Sequence, residues 1–232
     1  MHTIDLYPSL TRISTLSLLL KTGLGVLTLC SLLSLSACGE DPEEFVRPDD
    51  EVCLKNRFGG TYCIDVYEAS RNDADAMTAG LDEKTGAASI EGRLPWVNIS
   101  WQGALDACRL KGKRLCDREE WLDACDGMSG TEGTMFTYGN DIDSTRCNTD
   151  GNGVEISGAR GNCQSAIGTF DQSGNVWEWT GNTLDQAMAR GGSYRSSLTH
   201  HCTSPEMPQV GDVIKPEGGL SLEVGFRCCR DF

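Results

Sequence analysis

The segment from Ser193 to Cys202 concentrates side chains of this chain that could do chemistry. It contains the thiol of Cys202 and the adjacent imidazoles of His200 and His201. Thiolate and imidazole groups bind transition metals, and the softer thiolate favours ions such as Cu(I). Adjacent residues rarely aim at one point, so the alternative is a pair of solvated histidines in a polar loop.

Two predicted helices must position this segment. Ser100 can cap a helix that runs to Lys111, and Asp117 can begin a second helix that Gly127 closes. Glu120 follows Asp117 by three residues, which is the spacing of a capping box. By helical spacing, the core-facing residues are Ala104, Leu105 and Cys108 in the first helix and Trp121, Leu122 and Cys125 in the second.

The rest of the domain is predicted to contain short strands and long loops. Thr61–Val66 alternates apolar and polar residues, and Phe226–Cys228 has the composition of a terminal strand. Residues 71–92 and 126–166 are rich in Gly, Asp, Asn, Ser and Thr, so they favour loops, and loops of that length need staples or ions. The expected class is α+β, loop-rich and stapled by disulfides, with two helices.

The first 37 residues are typical of an export signal. Two apolar runs follow Arg12, and the second run is short for a membrane span and ends in small residues. Leu35-Ser36-Ala37-Cys38 matches the bacterial lipobox, in which cleavage precedes a lipidated Cys38. An ordinary signal peptide or an uncleaved anchor remains the alternative.

The expected organisation is therefore a leader over residues 1–37, a lipidated and acidic tether over 38–51, and one domain over 52–232. Lipid on Cys38 would anchor the protein to a membrane, which places it in a bacterial cell envelope, either periplasmic or surface-exposed. The tether is acidic and contains proline, so it should be disordered.

The charge balance excludes some partners. The chain has 20 basic and 34 acidic residues, a formal net charge of −14. Such a surface argues against binding to nucleic acid or anionic lipid, and it is compatible with calcium, with cationic ligands or simply with solubility.

The cysteine count predicts a disulfide framework. Of 12 cysteines, Cys30 would leave with the leader and Cys38 would take the lipid, so ten remain in an exported domain. An even number does not exclude free thiols, and the count alone does not give the pairing.

Four motifs occur in order along the domain and carry a resemblance to a known family. They are Trp101-(x)10-Gly112-Lys-Arg-Leu-Cys116-(x)3-Glu120-Trp121, Gly174-Asn-Val-Trp-Glu-Trp179, Arg190-Gly-Gly-Ser-Tyr194 and Gly225-Phe-Arg-Cys-Cys229. Together they resemble the formylglycine-generating enzymes, also called the sulfatase-modifying factor domain, over roughly Cys63 to Phe232. This resemblance implies a C-type-lectin-like fold with little regular structure. It also places Trp177 beside the reactive pocket.

The resemblance also implies two disulfides, Cys108–Cys228 and Cys125–Cys202. Neighbouring strand residues point to opposite faces, so Cys229 should have a partner different from that of Cys228, and Cys116 is the natural candidate. A vicinal 228–229 bridge is the alternative. The remaining local pairs are then Cys53–Cys63 and Cys147–Cys163.

The family binds calcium around the tryptophan motif. The matching positions here are Asp171, the carbonyls of Gly174 and Val176, and Glu178, an all-oxygen set that suits a hard cation. The alternative is that Glu178 only accepts hydrogen bonds in a tight turn. A second family site would use Asn148 and the Thr149 carbonyl.

The family's oxidase converts a sulfatase cysteine to formylglycine with copper held by two cysteines. The matching positions here are Ser196 and His201, while Ser193 matches a pocket serine. Copper is therefore doubtful, because neither position offers a soft thiolate.

Two functions follow from this comparison of residues. The first is a ligand-binding or protein-interaction module whose face includes Ser193–Thr199 and Trp177. The second is a divergent formylglycine-generating oxidase with a rebuilt metal site. A purely structural envelope protein is a third and vaguer alternative.

Overall fold

The computed structural model describes residues 50–56, 58–127, 133–197, 200–203 and 222–232. The expected leader, Cys38 and nearly all of the expected tether lie outside these residues. Within the described ranges, no helix is long and apolar enough to cross a membrane.

A four-stranded antiparallel sheet forms one side of the domain. Its strands are β1 (Glu51–Lys55), β2 (Thr61–Asp65), β5 (Arg114–Leu115) and β9 (Cys228–Asp231), in the order β1-β2-β9-β5. Glu51 pairs with Asp65 and Ile64 pairs with Cys229. A strand from the C-terminal part of the domain therefore lies between strands from the N-terminal half.

A three-stranded sheet contains the tryptophan motif. Its strands are β6 (Trp177–Thr180), β7 (Met188–Arg190) and β8 (Val224–Phe226), in the order β7-β6-β8, with β6 and β8 parallel. A short 3-10 helix, Leu184–Gln186, connects β6 to β7. A separate two-stranded ladder pairs β3 (Ala69–Ser70) with β4 (Ala88–Ser89).

Both predicted helices are present and begin where their caps indicate. Helix α1 covers Trp101–Arg109, and the Ser100 hydroxyl accepts a hydrogen bond from the Gly103 amide. Helix α2 covers Arg118–Cys125, and Asp117 and Glu120 form the predicted capping box. The α1 cysteine is fully buried against the three-stranded sheet, whereas the α2 cysteine lies in a second cluster with Trp121 and Tyr62.

All five tryptophans are buried in the core, with exposed fractions of 5% or less. Trp121 contributes to the cluster beneath the four-stranded sheet, and Trp96, Trp101, Trp177 and Trp179 contribute to the cluster beneath the three-stranded sheet. Large aromatic side chains supply much of the apolar area that a loop-rich domain can bury.

Five disulfides join the ten cysteines of the domain. They are Cys53–Cys63, Cys108–Cys228, Cys116–Cys229, Cys125–Cys202 and Cys147–Cys163, the same pairs as those expected from the sequence. Adjacent Cys228 and Cys229 have different partners, so the vicinal alternative is not formed. The α+β, loop-rich and disulfide-stapled class is confirmed.

The element boundaries differ from the prediction in three places. Glu51, which was expected to belong to a disordered tether, lies in β1 and is buried. Helix α1 ends at Arg109 rather than Lys111. The predicted strand Phe226–Cys228 is two strands, β8 and β9, separated at Arg227, whose side chain turns into the core.

Candidate functional site

The centre of the domain is a buried ion pair between Glu178 of β6 and Arg227, which lies between β8 and β9. The Arg227 Nε and Nη2 atoms donate to the two Glu178 carboxylate oxygens at 2.6 Å each. Trp121 Nε1 also donates to Glu178, at 2.6 Å. Both charged side chains are fully buried, and such bidentate pairing in a low-dielectric core is strong and directional.

Arg227 also organises the surrounding backbone. Its remaining hydrogen bonds go to the carbonyls of Asp65, Val66 and Phe170. One side chain thus ties the end of β2 and the loop before the tryptophan motif to β6. The arginine of the fourth motif is structural.

Two further buried carboxylates surround this pair. Glu68 accepts hydrogen bonds from Asn175 Nδ2 at 2.6 Å and Ser157 Oγ at 3.1 Å, and Asp171 accepts one from the Gly158 amide at 2.7 Å. Burial raises the pKa of Glu68, and burial raises the pKa of Asp171 to about 7. Three carboxylates thus surround one guanidinium, and the raised pKa of Glu68 favours its neutral form over the charged carboxylate.

Both oxygens of Glu178, one of the expected calcium ligands, already bind the Arg227 guanidinium. Glu178 accepts three hydrogen bonds from Arg227 and Trp121, and an ionised carboxylate has about four acceptor positions, so one remains. Among the described residues no three His, Cys, Asp or Glu side chains converge on one point, so the Gly174 and Val176 carbonyls would have to supply ligands. Carboxylate and carbonyl oxygens are the donor types that Ca²⁺ prefers, but an ion bound here would lie beside the Arg227 guanidinium.

The backbone of the turn at Gly174 and Asn175 is tightly constrained. Gly174 has φ 94°, and a Cβ there would lie 2.4 Å from the Asn148 carbonyl oxygen. Asn175 follows with φ 53° and donates its backbone amide to the same carbonyl at 2.7 Å. The glycine is therefore required by close backbone approach as well as by conformation.

At the second expected calcium position, the Asn148 side chain already has hydrogen-bond partners. Asn148 donates through Nδ2 to the Gly153 carbonyl and to Asn175 Oδ1, and its Oδ1 accepts from Arg160 Nη2 at 3.5 Å. A guanidinium thus already lies beside the oxygen that a cation would use. The adjacent Thr149 is 1% exposed, and its hydroxyl has no hydrogen-bond partner.

The segment that matches the family's copper loop is built around Ser193. Its hydroxyl donates to Glu223 Oε2 at 2.8 Å and accepts the Arg195 amide at 3.2 Å, while its own amide donates to Ser196 Oγ at 2.7 Å. Ser193 is completely buried. The matched pocket serine therefore faces inward and holds the turn, with Glu223 as its acceptor.

The two histidines point to different neighbours. The His200 ring lies edge-on to Trp177 with centroids 4.8 Å apart, whereas the His201 ring lies edge-on to Phe136 at 5.7 Å. His201 Nδ1 is 3.2 Å from the Thr203 hydroxyl. Burial and the neighbouring His200 lower the pKa of His201, so its neutral form is favoured.

Copper does not fit this loop. All ten cysteines of the domain are in disulfides, including Cys202 with Cys125. The Ser196 hydroxyl at the first matched position holds the Ser193 amide. No thiolate is left to provide the soft ligand that Cu(I) prefers.

The described cavities lie elsewhere. One of 690 Å³ lies beside β4 and the end of α1, where Tyr67, Glu91 and Lys111 are among its lining residues. Two others, of 490 and 430 Å³, border the start of α2 and the outer face of α1. None of the three is lined by Trp177, Ser193, Ser196 or His201.

Sequence reasoning missed three residues of the candidate site. Arg227 stands within a recognised motif, so its importance could have been noticed, but the motif does not reveal that its side chain is buried and paired with Glu178. Glu68 and Glu223 lie in segments without periodicity or motif, and their importance follows only from their contacts across the fold.

Comparison with known proteins gives the same family by a family model and by individual relatives. The family described as "Sulfatase-modifying factor enzyme 1-like domain" matches residues 61–232. The protein named "Inactive C-alpha-formylglycine-generating enzyme 2" of Mus musculus is 34% identical over 153 residues, which are 58% of this chain and 48% of that protein. The chain thus spans about half the length of this relative and of its Bos taurus counterpart.

A bacterial relative covers more of the chain. The "Formylglycine-generating enzyme" of Streptomyces coelicolor is 26% identical over 237 residues, covering 81% of this chain and 73% of that protein. The crystal structure of CarF aligns with a TM-score of 0.56 at 18% identity, covering 80% of this chain and 99% of that one. The structural likeness shows the C-type-lectin-like fold that the motifs implied. The match over residues 61–232 shows that this chain belongs to the sulfatase-modifying factor enzyme 1-like domain family.

Proposed function

We propose that this domain is a non-catalytic member of its family that binds a protein or small-molecule ligand. One observation carries the proposal: five disulfides use all ten cysteines of the domain, while serine and histidine stand at the two copper positions. The name of the mouse relative, an inactive formylglycine-generating enzyme, is consistent with loss of the oxidase in this branch.

The binding face we propose is the outer side of the Ser193 turn. The Arg195 side chain is 66% exposed and pairs with Glu223 at 3.0 Å, and the exposed Ser197 has φ 52°. His200 lies half-buried against Trp177 beside them. An exposed guanidinium, a hydroxyl and an imidazole on a disulfide-held turn can recognise polar or acidic groups of a ligand.

Cu(I) titration of the oxidatively folded domain tests the proposal. We expect no tight copper binding, no free thiol by alkylation and mass spectrometry, and no conversion of a cysteine-containing sulfatase peptide. The matched control is the double variant Ser196→Cys and His201→Cys, which restores two thiols at the copper positions and should gain Cu(I) binding. Tight copper binding or peptide conversion by the unmodified domain would overturn the proposal.

We also propose that calcium binds at Asp171, Glu178 and the Gly174 and Val176 carbonyls as a structural ion. Its support is the group of three buried carboxylates, Glu68, Asp171 and Glu178, because carboxylate oxygens are ligands that Ca²⁺ prefers. A ligand that binds only the folded state stabilises it by about 2.7 kcal/mol at a concentration 100 times its Kd. Calcium should therefore raise the melting temperature after chelation, and Asp171→Asn should abolish that rise. An unchanged melting temperature would exclude the site.

Anchoring through lipid on Cys38 is the third proposal. Its support is the Leu35–Cys38 lipobox followed by an acidic segment. In a bacterial host, the full chain should fractionate with membranes and incorporate an alkyne-labelled fatty acid. The variant Cys38→Ser should lose the label; a labelled variant, or an unlabelled parent, would contradict the assignment.

A further inference from the structure

Among the ten cysteines of the described domain, Cys53 is the one that is not buried. The other nine have exposed fractions of 0 or 1%, whereas Cys53 is partly exposed on strand β1. We infer that the Cys53–Cys63 disulfide is a thiol–disulfide exchange site, open to a dithiol reductant while the other four bridges are protected. Access to a sulfur atom is a requirement for attack by a thiolate.

The position of the bridge in the sheet explains this difference. β1 is an edge strand, and Cys53 lies directly opposite Cys63 in the β1–β2 ladder. Val52 and Leu54 pack towards the core, so Cys53 lies on the other face of the strand. Each of the other bridges connects two cysteines that are both buried.

The charge next to Cys63 favours its release. Arg230 is opposite Cys63 in the β2–β9 ladder, and directly opposed residues share a face of the sheet. The guanidinium of Arg230, held by Glu51 at 2.8 Å, therefore lies in line with the bridge. A neighbouring cation stabilises a thiolate, and a thiolate that is stabilised is a better leaving group.

The exchange is a two-electron reduction by a dithiol. One thiolate of the reductant attacks the sulfur of Cys53, a mixed disulfide forms, the bond to Cys63 breaks and Cys63 leaves as a thiolate. The second thiol of the reductant, after losing its proton, displaces Cys53. The reductant becomes a disulfide, and the protein retains two thiols.

The affected strand lies outside the family domain. The family match begins at residue 61, whereas β1 ends at Lys55. After reduction β1 would still be held by its ladder, its apolar contacts and the ion pairs of Glu51 with Lys113 and Arg230. Reduction should therefore loosen β1 while the rest of the domain, with four bridges, stays folded.

Timed reduction of the full chain with dithiothreitol, followed by alkylation and mass spectrometry, tests the inference. Cys53 and Cys63 should be labelled at least ten times faster than any other pair. The matched comparison is Cys147–Cys163, which also closes a short loop, of 16 residues against 10, but has both cysteines buried. Labelling of another pair first, or of all pairs together, would overturn the inference.

Three variants test whether access to the bridge, rather than general instability of the domain, sets the rate of reduction. Arg230→Gln should slow the reduction of Cys53–Cys63 several-fold, whereas Arg230→Lys should keep most of the rate. Hydrogen exchange of the double variant Cys53→Ser and Cys63→Ser should increase in β1 and stay unchanged in β6. If exchange rises equally in both strands, the bridge serves the whole fold and the assignment of a separable site is wrong.

Discussion

Arg227 donates hydrogen bonds to a carboxylate and three backbone carbonyls, all within the core. Its replacement by Met would leave the Glu178 carboxylate buried without its cation. Breaking a buried pair in this way costs roughly 3–5 kcal/mol, because the remaining charge stays desolvated. We expect Arg227→Met to lower the free energy of unfolding by that amount in urea denaturation.

A surface pair provides the control. Arg195 and Glu223 are 3.0 Å apart, and the arginine side chain is 66% exposed. Such pairs contribute about 0–1 kcal/mol. If Arg195→Met destabilised the domain as much as Arg227→Met, burial would not explain the importance of the Arg227–Glu178 pair.

At the scale of elements, the N-terminus of α1 depends on one hydroxyl. Ser100 Oγ accepts the Gly103 amide at 3.1 Å, and this amide has no intrahelical partner. Ser100→Ala should cost about 1 kcal/mol, and Ser100→Asp should retain most of the stability because aspartate also caps helices well. Thermal unfolding of the three proteins measures the difference, and equal losses in both variants would refute the capping explanation.

The helices could be predicted because their signals are local. Ser100, Asp117 and Glu120 act on residues within one turn, so cap and helix appear together in the sequence. Strands β5 and β7 contain two and three residues, too few for a period to be visible. They form because β9 pairs with β5 from the other end of the domain, and because β6 pairs with β7. Tertiary contacts decide such elements.

The residues of the candidate site also differ in how far the sequence predicts them. Trp177 and Ser193 lie in motifs, and the disulfides could be predicted from the cysteine count together with the family resemblance. The buried carboxylate Glu68 could not, because Asn175, to which it is hydrogen-bonded, lies 107 residues away in the chain. Residues that act through such long-range contacts have no sequence pattern of their own.

For the whole molecule, mild acid should stabilise the folded domain, and stronger acid should destabilise it. Burial raises the pKa of Asp65 from 3.8 to about 6, although Lys113 lies 2.6 Å away, whereas hydrogen bonds and charges from Lys113 and Arg230 lower the pKa of Glu51 despite its burial. The folded state thus binds a proton at Asp65 more tightly than the unfolded chain does. This contribution is complete below pH 3.8 and is lost as the pH rises through 6. The contribution of Glu51 is present above pH 4.5 and lost below it.

The optimum predicted from these two groups therefore lies near pH 4.5, where the Glu51 contribution is complete and the Asp65 contribution is only beginning to be lost. Melting temperatures measured from pH 4 to 8 should fall as the pH rises from about 4.5 through 6, and Asp65→Asn should reduce that slope because asparagine does not titrate. Two pKa units correspond to about 3 kcal/mol, which is an upper limit for this one group. If Asp65→Asn showed the same dependence of melting temperature on pH as the parent, carboxylates other than Asp65 would be responsible for it.

The central position of β9 has a consequence for how the protein is made. The Cys228 amide donates to Asp65, which was synthesised 163 residues earlier, and β9 fills the gap between β2 and β5. Until that strand leaves the ribosome, β2 and β5 have open edges, and the partners of Cys108 and Cys116 do not yet exist. The sheet must close after translation of the domain, so early oxidation would trap wrong cysteine pairs. Newly made chains should need a period in a reduced, unfolded state before the bridges form.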